Sequence, residues 1–188
     1  MKKGRKILAA MMIMALAFAM AGCGKKDDDK NNQDSSSGAS ATAFENMKTT
    51  TLDGEKVNSK IFAKNKVTVV NVWSVTCPPC IRELPHLNKV SEKMKSKGVG
   101  VIGVVNETGR DTSDGPVNQA KDILKKAKAE YTQLKMSDDM LNSKEISTIS
   151  YLPTTFIVDS KGKVLTQKVG ATDEKGWEDE INKALKKV

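Results

Sequence analysis

The residues Val67-Thr68-Val69-Val70-Asn71-Val72-Trp73 run directly into Ser74-Val75-Thr76-Cys77-Pro78-Pro79-Cys80, and this succession limits what the chain can fold into. A β-branched run of that length suits a central strand buried on both faces. Beyond it, Ile81, Leu84, Leu87, Val90 and Met94 recur every three or four residues, which predicts a helix with one apolar face stopped by Gly98. The two cysteines therefore stand between the end of a buried strand and the mouth of a helix.

That position gives them a chemistry. Unpaired N–H groups and the helix dipole favour negative charge at a helix N-terminus, so a Cys77 thiolate is stabilised and its pKa falls. Two intervening residues bring the second sulfur within bonding distance of the first. Pro78 fits the first helical turn, where a missing N–H costs little. Cys77 reads as the exposed nucleophile and Cys80, one turn in, as the thiol that resolves a mixed disulfide. A zinc site wants four ligands, and the chain offers this pair and one histidine, His86. Covalent haem attachment needs a histidine directly after the second cysteine, where Ile81 stands. A structural disulfide closing so short a ring stabilises little, because the effect grows with loop length.

The remainder alternates between strand and helix signals. Asp53-Gly54 lies between Thr49–Leu52 and Lys56-Val57, a hairpin turn by composition. Val99 to Val105 reads as a second buried strand, and Asn106 to Pro116 as a loop. Val117 to Glu130 is helical by its Ala120, Ile123, Leu124 and Ala127 face, and Asp138 to Glu145 reads as a shorter helix. Thr154 to Val158 and Val164 to Val169 form a strand pair around Lys161-Gly162. Trp177, Ile181, Leu185 and Val188 mark a C-terminal amphipathic helix. This order predicts an α/β fold, a mixed central sheet with helices on both faces.

The N-terminus is an address. Four positive charges, Lys2, Lys3, Arg5 and Lys6, precede an apolar run of 15 residues from Ile7 to Ala21. The run is short for a bilayer span, which takes about 20 residues, and suits a secretory signal. It ends Met20-Ala21-Gly22-Cys23, which resembles the lipobox of bacterial lipoproteins, with Met20 where that motif prefers Leu. The resemblance implies a signal peptide over 1–22, cleavage before Cys23 and lipidation of Cys23. Gly24 to Ala43 contains no Val, Ile, Leu or aromatic residue, so residues 23–43 are expected to form a disordered tether spanning roughly 25 Å as a flexible coil. The folded domain is expected over 44–188. Of the net charge of +8, about +4 remains outside the leader. It is interleaved with Asp and Glu and forms no basic stripe with aromatics, which argues against nucleic acid as a partner.

The stretch VVNVWSVTCPPCIRELPHL, followed about 70 residues later by YLPTTFIVDSKGKVL, resembles the TlpA/ResA group of extracytoplasmic thioredoxin-like proteins. The resemblance runs from Phe44 to Val188. It implies a thioredoxin fold with an N-terminal β-hairpin and a central insertion. It also implies a cis Leu152–Pro153 bond that places Pro153 opposite the cysteines, with the Leu152 backbone offered to an extended substrate peptide. Trp73 matches the family's first tryptophan and is assigned with Leu152 and Pro153 to substrate binding. Thr76 stands where a second is expected, which leaves the rim of the site less apolar. Asn71 occupies the place of thioredoxin's buried aspartate, and an amide cannot titrate. The family places a carboxylate where Glu83 lies, so Glu83 is the expected proton acceptor for the resolving thiol. Pro85 is expected to kink the helix, and His86 to be a surface or packing residue.

The implied function is that of a membrane-anchored, extracytoplasmic thiol-disulfide oxidoreductase acting mainly as a reductant, without cofactor or metal. A membrane electron conduit of the DsbD/CcdA kind is the expected donor. Expected targets are apocytochrome c, an extracellular methionine sulfoxide reductase or other oxidised surface proteins. Two alternatives share the architecture. A thiol peroxidase is disfavoured by Thr76 adjoining Cys77 and by so close a resolving cysteine. A copper-binding module like the SCO proteins uses C-x-x-x-C with a distant histidine, and here no histidine lies beyond position 86.

Overall fold

The computed structural model describes residues 42–188. The expected signal peptide, Cys23 and the expected tether up to residue 41 lie outside the described residues. The elements are β1 (Lys48–Thr50), β2 (Lys56–Asn58), β3 (Val67–Trp73), α1 (Pro78–Met94), β4 (Val99–Val105), α2 (Gly115–Ala127), β5 (Gln133–Lys135), α3 (Asp138–Leu141), α4 (Lys144–Ser147), β6 (Thr154–Asp159), β7 (Val164–Val169) and α5 (Glu174–Leu185).

Five strands form one mixed sheet in the order β5-β4-β3-β6-β7. β3 lies at its centre, parallel to β4 and antiparallel to β6. All seven residues of β3 are buried, as a strand covered on both faces requires. Successive side chains divide between two layers. Val67, Val69 and Trp73 join a cluster with Leu84, Leu87 and Val90 of α1, Val117 and Ala120 of α2, and Trp177 and Ile181 of α5. Val70 and Val72 join the opposite cluster with Phe44, Met47, Phe62, Met140, Ile146 and Phe156. Helices thus stand on both faces but unequally: the three long ones share one layer, while the N-terminal segment and the single turns α3 and α4 cover the other.

The hairpin β1–β2 turns where Asp53-Gly54 predicts it, with Gly54 at φ +90°, a region open to glycine at little cost. It is pinned to the edge of β5, because Thr51 bridges Leu134 and the Thr49 hydroxyl donates to the Lys135 carbonyl at 2.6 Å. That contact covers a sheet edge otherwise open to foreign strands.

Four sequence expectations need correction. β5 was not anticipated, since three residues of mixed character carry no period. The helix expected over 117–130 begins at Gly115 and ends at Ala127, where Lys128 turns left-handed at φ +52°. The helix expected over 138–145 is two turns, because the Ser143 hydroxyl caps a second start by accepting from Ile146 N–H. α5 stops at Leu185 with Trp177, Ile181 and Ala184 as its buried stripe, leaving Val188 58% exposed. Pro85 removes the N–H that would bond the Ile81 carbonyl, yet α1 runs through it.

Candidate active site

Cys77 and Cys80 are joined as a disulfide, with Cα atoms 5.3 Å apart. Cys77 is the N-cap of α1, and its Sγ accepts from the backbone N–H of Cys80 at 3.3 Å. Pro78 and Pro79 occupy the first two helical positions and have no N–H. Cys80 therefore supplies the one backbone donor that the first three helical positions can aim at the nucleophile's sulfur. Cys77 is half-buried, and Cys80 is fully buried behind it. Across the site the Leu152–Pro153 peptide is cis, and the Leu152 carbonyl oxygen lies 3.6 Å from Cys77 Sγ. The Pro153 carbonyl accepts from Gly170 N–H at 2.8 Å, which ties this loop to the end of β7.

The rim beside Cys77 is polar. Thr76 is exposed, its hydroxyl is 3.0 Å from that of Ser74, and the Ser74 hydroxyl donates to the Glu107 carboxylate. Glu107 also accepts from Val75 N–H at 3.4 Å. It comes from the turn after β4, and nothing in its local sequence marks it as part of this loop.

Glu83 lies one turn beyond Cys80 on α1 and is 1% exposed. One carboxylate oxygen accepts from Thr172 N–H at 2.8 Å and from the Trp177 indole N–H at 3.0 Å; the other accepts from the Asn71 side-chain amide at 3.2 Å. Burial dominates and pushes the carboxyl up to about 7, against the lowering effect of these three donors and of the Lys168 charge. Thr172 and Trp177 reach Glu83 from the start of α5, whose dipole adds to the attraction for the anion. In the sequence Trp177 stands out only as part of an apolar stripe. No local pattern announces a partner 94 residues away.

Trp73 corrects an expectation. Its ring is fully buried and its indole N–H donates to Gln133 Oε1 at 3.0 Å, so it packs the floor of the loop and cannot touch a substrate. Gln133 is itself held by its amide, which donates to the Tyr131 carbonyl at 3.4 Å. The Tyr131 hydroxyl is enclosed without a partner, and burial holds it well above the ordinary phenol range. His86 is half-buried and lines an open cleft of about 270 Å³ with Pro79, Arg82, Glu83 and Asp173. Cys77 and Leu152 thus meet at one surface, with Cys80 and Pro153 buried behind them. Glu83 lies beneath it, and Trp73 is withdrawn into the core.

A family model described as Redoxin matches residues 36–185. The chain belongs to the redoxin family. Over 142 residues this redoxin is 30% identical to the thiol-disulfide oxidoreductase ResA of Bacillus thuringiensis subsp. konkukian, covering 73% of this chain and 74% of that protein. It is 30% identical over 132 residues to the thioredoxin-like protein YneN of Bacillus subtilis, covering 70% and 72%. Among solved structures, a thiol:disulfide interchange protein of the thioredoxin family from Chlorobium tepidum superposes with a TM-score of 0.63 at 24% identity. That match covers 79% of this chain and 99% of the other, and the likeness is one of fold. The thioredoxin fold expected from the paired motifs is the fold observed.

Proposed function

We propose that this redoxin is a thiol-disulfide oxidoreductase that reduces disulfides of target proteins outside the cytoplasm. The observation that carries the reading is the unequal burial of a joined sulfur pair at a helix mouth, with Cys77 half-buried beside the Leu152 carbonyl and Cys80 fully enclosed. A protein-sized substrate can reach one sulfur, and the second is within reach of the first alone.

In the dithiol state the Cys77 thiolate attacks one sulfur of a target disulfide. A Cys77–target bond forms, and the target's other sulfur leaves as a thiolate and takes a proton. Cys80 then gives its proton to Glu83, and its sulfur attacks Cys77. The ring closes, and the second target sulfur is released. Two electrons pass from the pair to the target. A carboxyl near 7 suits this proton transfer, because it ionises below a free thiol near 8.5 yet remains a competent acid on the way back. The Leu152 carbonyl lies beside Cys77 Sγ, where an extended target peptide would pair with the backbone of this segment.

The names of the relatives, thiol-disulfide oxidoreductase ResA and thiol:disulfide interchange protein DsbE, support this activity. The basic and apolar leader ending in Ala21-Gly22-Cys23 supports export and a lipid anchor at Cys23, with the polar stretch from there to residue 41 as the tether, since Ala43 is already packed in the fold. The resemblance to the TlpA/ResA group supports recharging by a membrane conduit of the DsbD/CcdA kind, and targets such as apocytochrome c, methionine sulfoxide reductase or other surface proteins. The test is a trap in cells. Cys80→Ser should accumulate mixed disulfides that dissolve on reduction, and Cys77→Ser should accumulate none. Equal trapping by both variants, or by neither, would overturn the reading.

A further inference from the structure

The two oxygens of Glu83 are not equivalent. Oε1 is held by two donors, the Thr172 N–H and the Trp177 indole N–H, neither of which can accept a proton. Oε2 has one partner, Asn71 Nδ2. The same Nδ2 donates at 2.8 Å to the Thr155 hydroxyl oxygen, and Asn71 Oδ1 is enclosed in the protein with no partner. Asn71 is fully buried on β3.

An amide aimed in this way fits an ionised carboxylate and conflicts with the acid. A proton on Oε1 would face two N–H groups, and one on Oε2 would face the Asn71 amide N–H. The two ends of an asparagine amide are nearly equal in size and opposite in hydrogen-bonding sense. A half-turn about the Asn71 Cβ–Cγ bond exchanges them without moving the backbone. Oδ1 then accepts from Oε2–H and from the Thr155 hydroxyl, which changes from acceptor to donor. The orphaned Oδ1 leaves its partnerless position when the carboxylate is protonated, and Nδ2 takes its place there. Each protonation state thus has one orientation that pairs the Oε2 edge.

We propose that Glu83 carries its proton on Oε2 and that Asn71 is a positioning residue whose side-chain amide turns over each time that proton arrives or leaves. The inference deepens the redox reading, on which the proton comes from the Cys80 thiol. As Cys80 S–H breaks, Oε2–H forms, Asn71 turns from donor to acceptor, and the Cys80 sulfur closes on Cys77. Other groups face the same carboxyl. Lys168 of β7 favours the anion, the Tyr131 phenol lies within its field ahead of β5, and the cysteine pair precedes it on α1. Arg82, His86 and Asp173 line the cleft it borders. None of them is in hydrogen-bond contact with Oε2, so the signal of the turn belongs to Asn71.

The experiment is nuclear magnetic resonance on the full-length, oxidised protein, labelled with carbon-13 and nitrogen-15. The Glu83 carboxyl carbon is followed through its titration together with the contacts between the Asn71 amide protons and the Thr155 methyl group. Those contacts should be strong on the alkaline side and lost on the acid side, with one shared midpoint. In Glu83→Gln they should become independent of pH. In Asn71→Asp, which places a second carboxyl against Oε2, proton affinity at the site should rise at least tenfold. A carboxyl that titrates while the amide contacts stay constant overturns the proposal, as does amide movement that persists with pH in Glu83→Gln. The measurement involves no turnover. Failure of the cysteine trap would therefore remove the redox reading and leave the amide turn standing.

Discussion

The indole N–H of Trp177 donates to Glu83 Oε1 at 3.0 Å, so the C-terminal helix holds a carboxylate buried beneath the sulfur pair. Trp177 is fully buried and belongs to the same apolar layer as Leu84 and Leu87. One side chain therefore both packs α5 onto the sheet and favours charge on Glu83.

Trp177→Phe keeps most of that packing and removes the donor. The anion loses one of its three N–H partners, so the Glu83 pKa should move upward from about 7, by about one unit for a charge-assisted hydrogen bond. The carboxyl carbon shift against pH gives the value. A midpoint that stays put or falls contradicts the assigned role of the indole.

Glu83 also makes the fold sensitive to pH. Its carboxyl is raised from 4.5 to about 7 on folding. Between those values the folded chain holds a proton that the unfolded chain has released, so stability declines as pH rises through the window. The decline is complete above 7 and amounts to roughly 3 kcal/mol. Glu83→Gln should flatten that slope and unfold at higher denaturant than the parent on the alkaline side. Denaturant melts at a series of pH values check it.

Pro79→Ala restores an N–H at the second position of α1, next to the single donor that now reaches Cys77 Sγ. The thiolate gains a charge-assisted hydrogen bond, and the Cys77 pKa in the reduced protein should fall by about one unit. Ultraviolet absorbance of the thiolate against pH measures it. The reduction potential should become more oxidising in the same variant.

Gly103 of β4 faces Gln133, and a Cβ there would lie 1.9 Å from Gln133 Oε1. Gly103→Ala therefore displaces the acceptor of the Trp73 indole and leaves a buried N–H unpaired. The cost should be about 1–3 kcal/mol, read as a lowered unfolding midpoint with altered Trp73 fluorescence. Gln133→Ala alone, which removes the same acceptor outright, should reproduce the change in Trp73 fluorescence.

Much of the scaffold was legible in the residues. β3 and β4 fall on the boundaries their β-branched runs predict, because strands buried on both faces are rich in Val and Ile on both sides of the pleat. The helix mouth at Cys77 was legible because prolines and a periodic apolar face both fix its start. β5 was not, since its place depends on pairing with β4 and on the hairpin that caps its edge. The burial of Trp73 is hidden for a related reason: a tryptophan ending a strand looks the same in sequence whether it faces a ligand or the core. The setting of Glu83 is joint work of β3, α1 and α5, and its partners Asn71, Thr172 and Trp177 share no local pattern.

The covering of the second sheet layer bears on how the domain can be handled. Ala43, Phe44 and Met47 are buried with Phe62 and Phe156, and the Phe44 backbone lies so close to Gly162 that a Cβ there would come within 2.8 Å of its carbonyl. Thr42 N–H already bonds the Glu45 carboxylate, and Ala43 N–H bonds that of Glu145. A version of the folded domain made on its own should therefore begin several residues before Thr42. A cut at the compositional boundary would remove the first stitches of a seam that closes one whole side of the sheet.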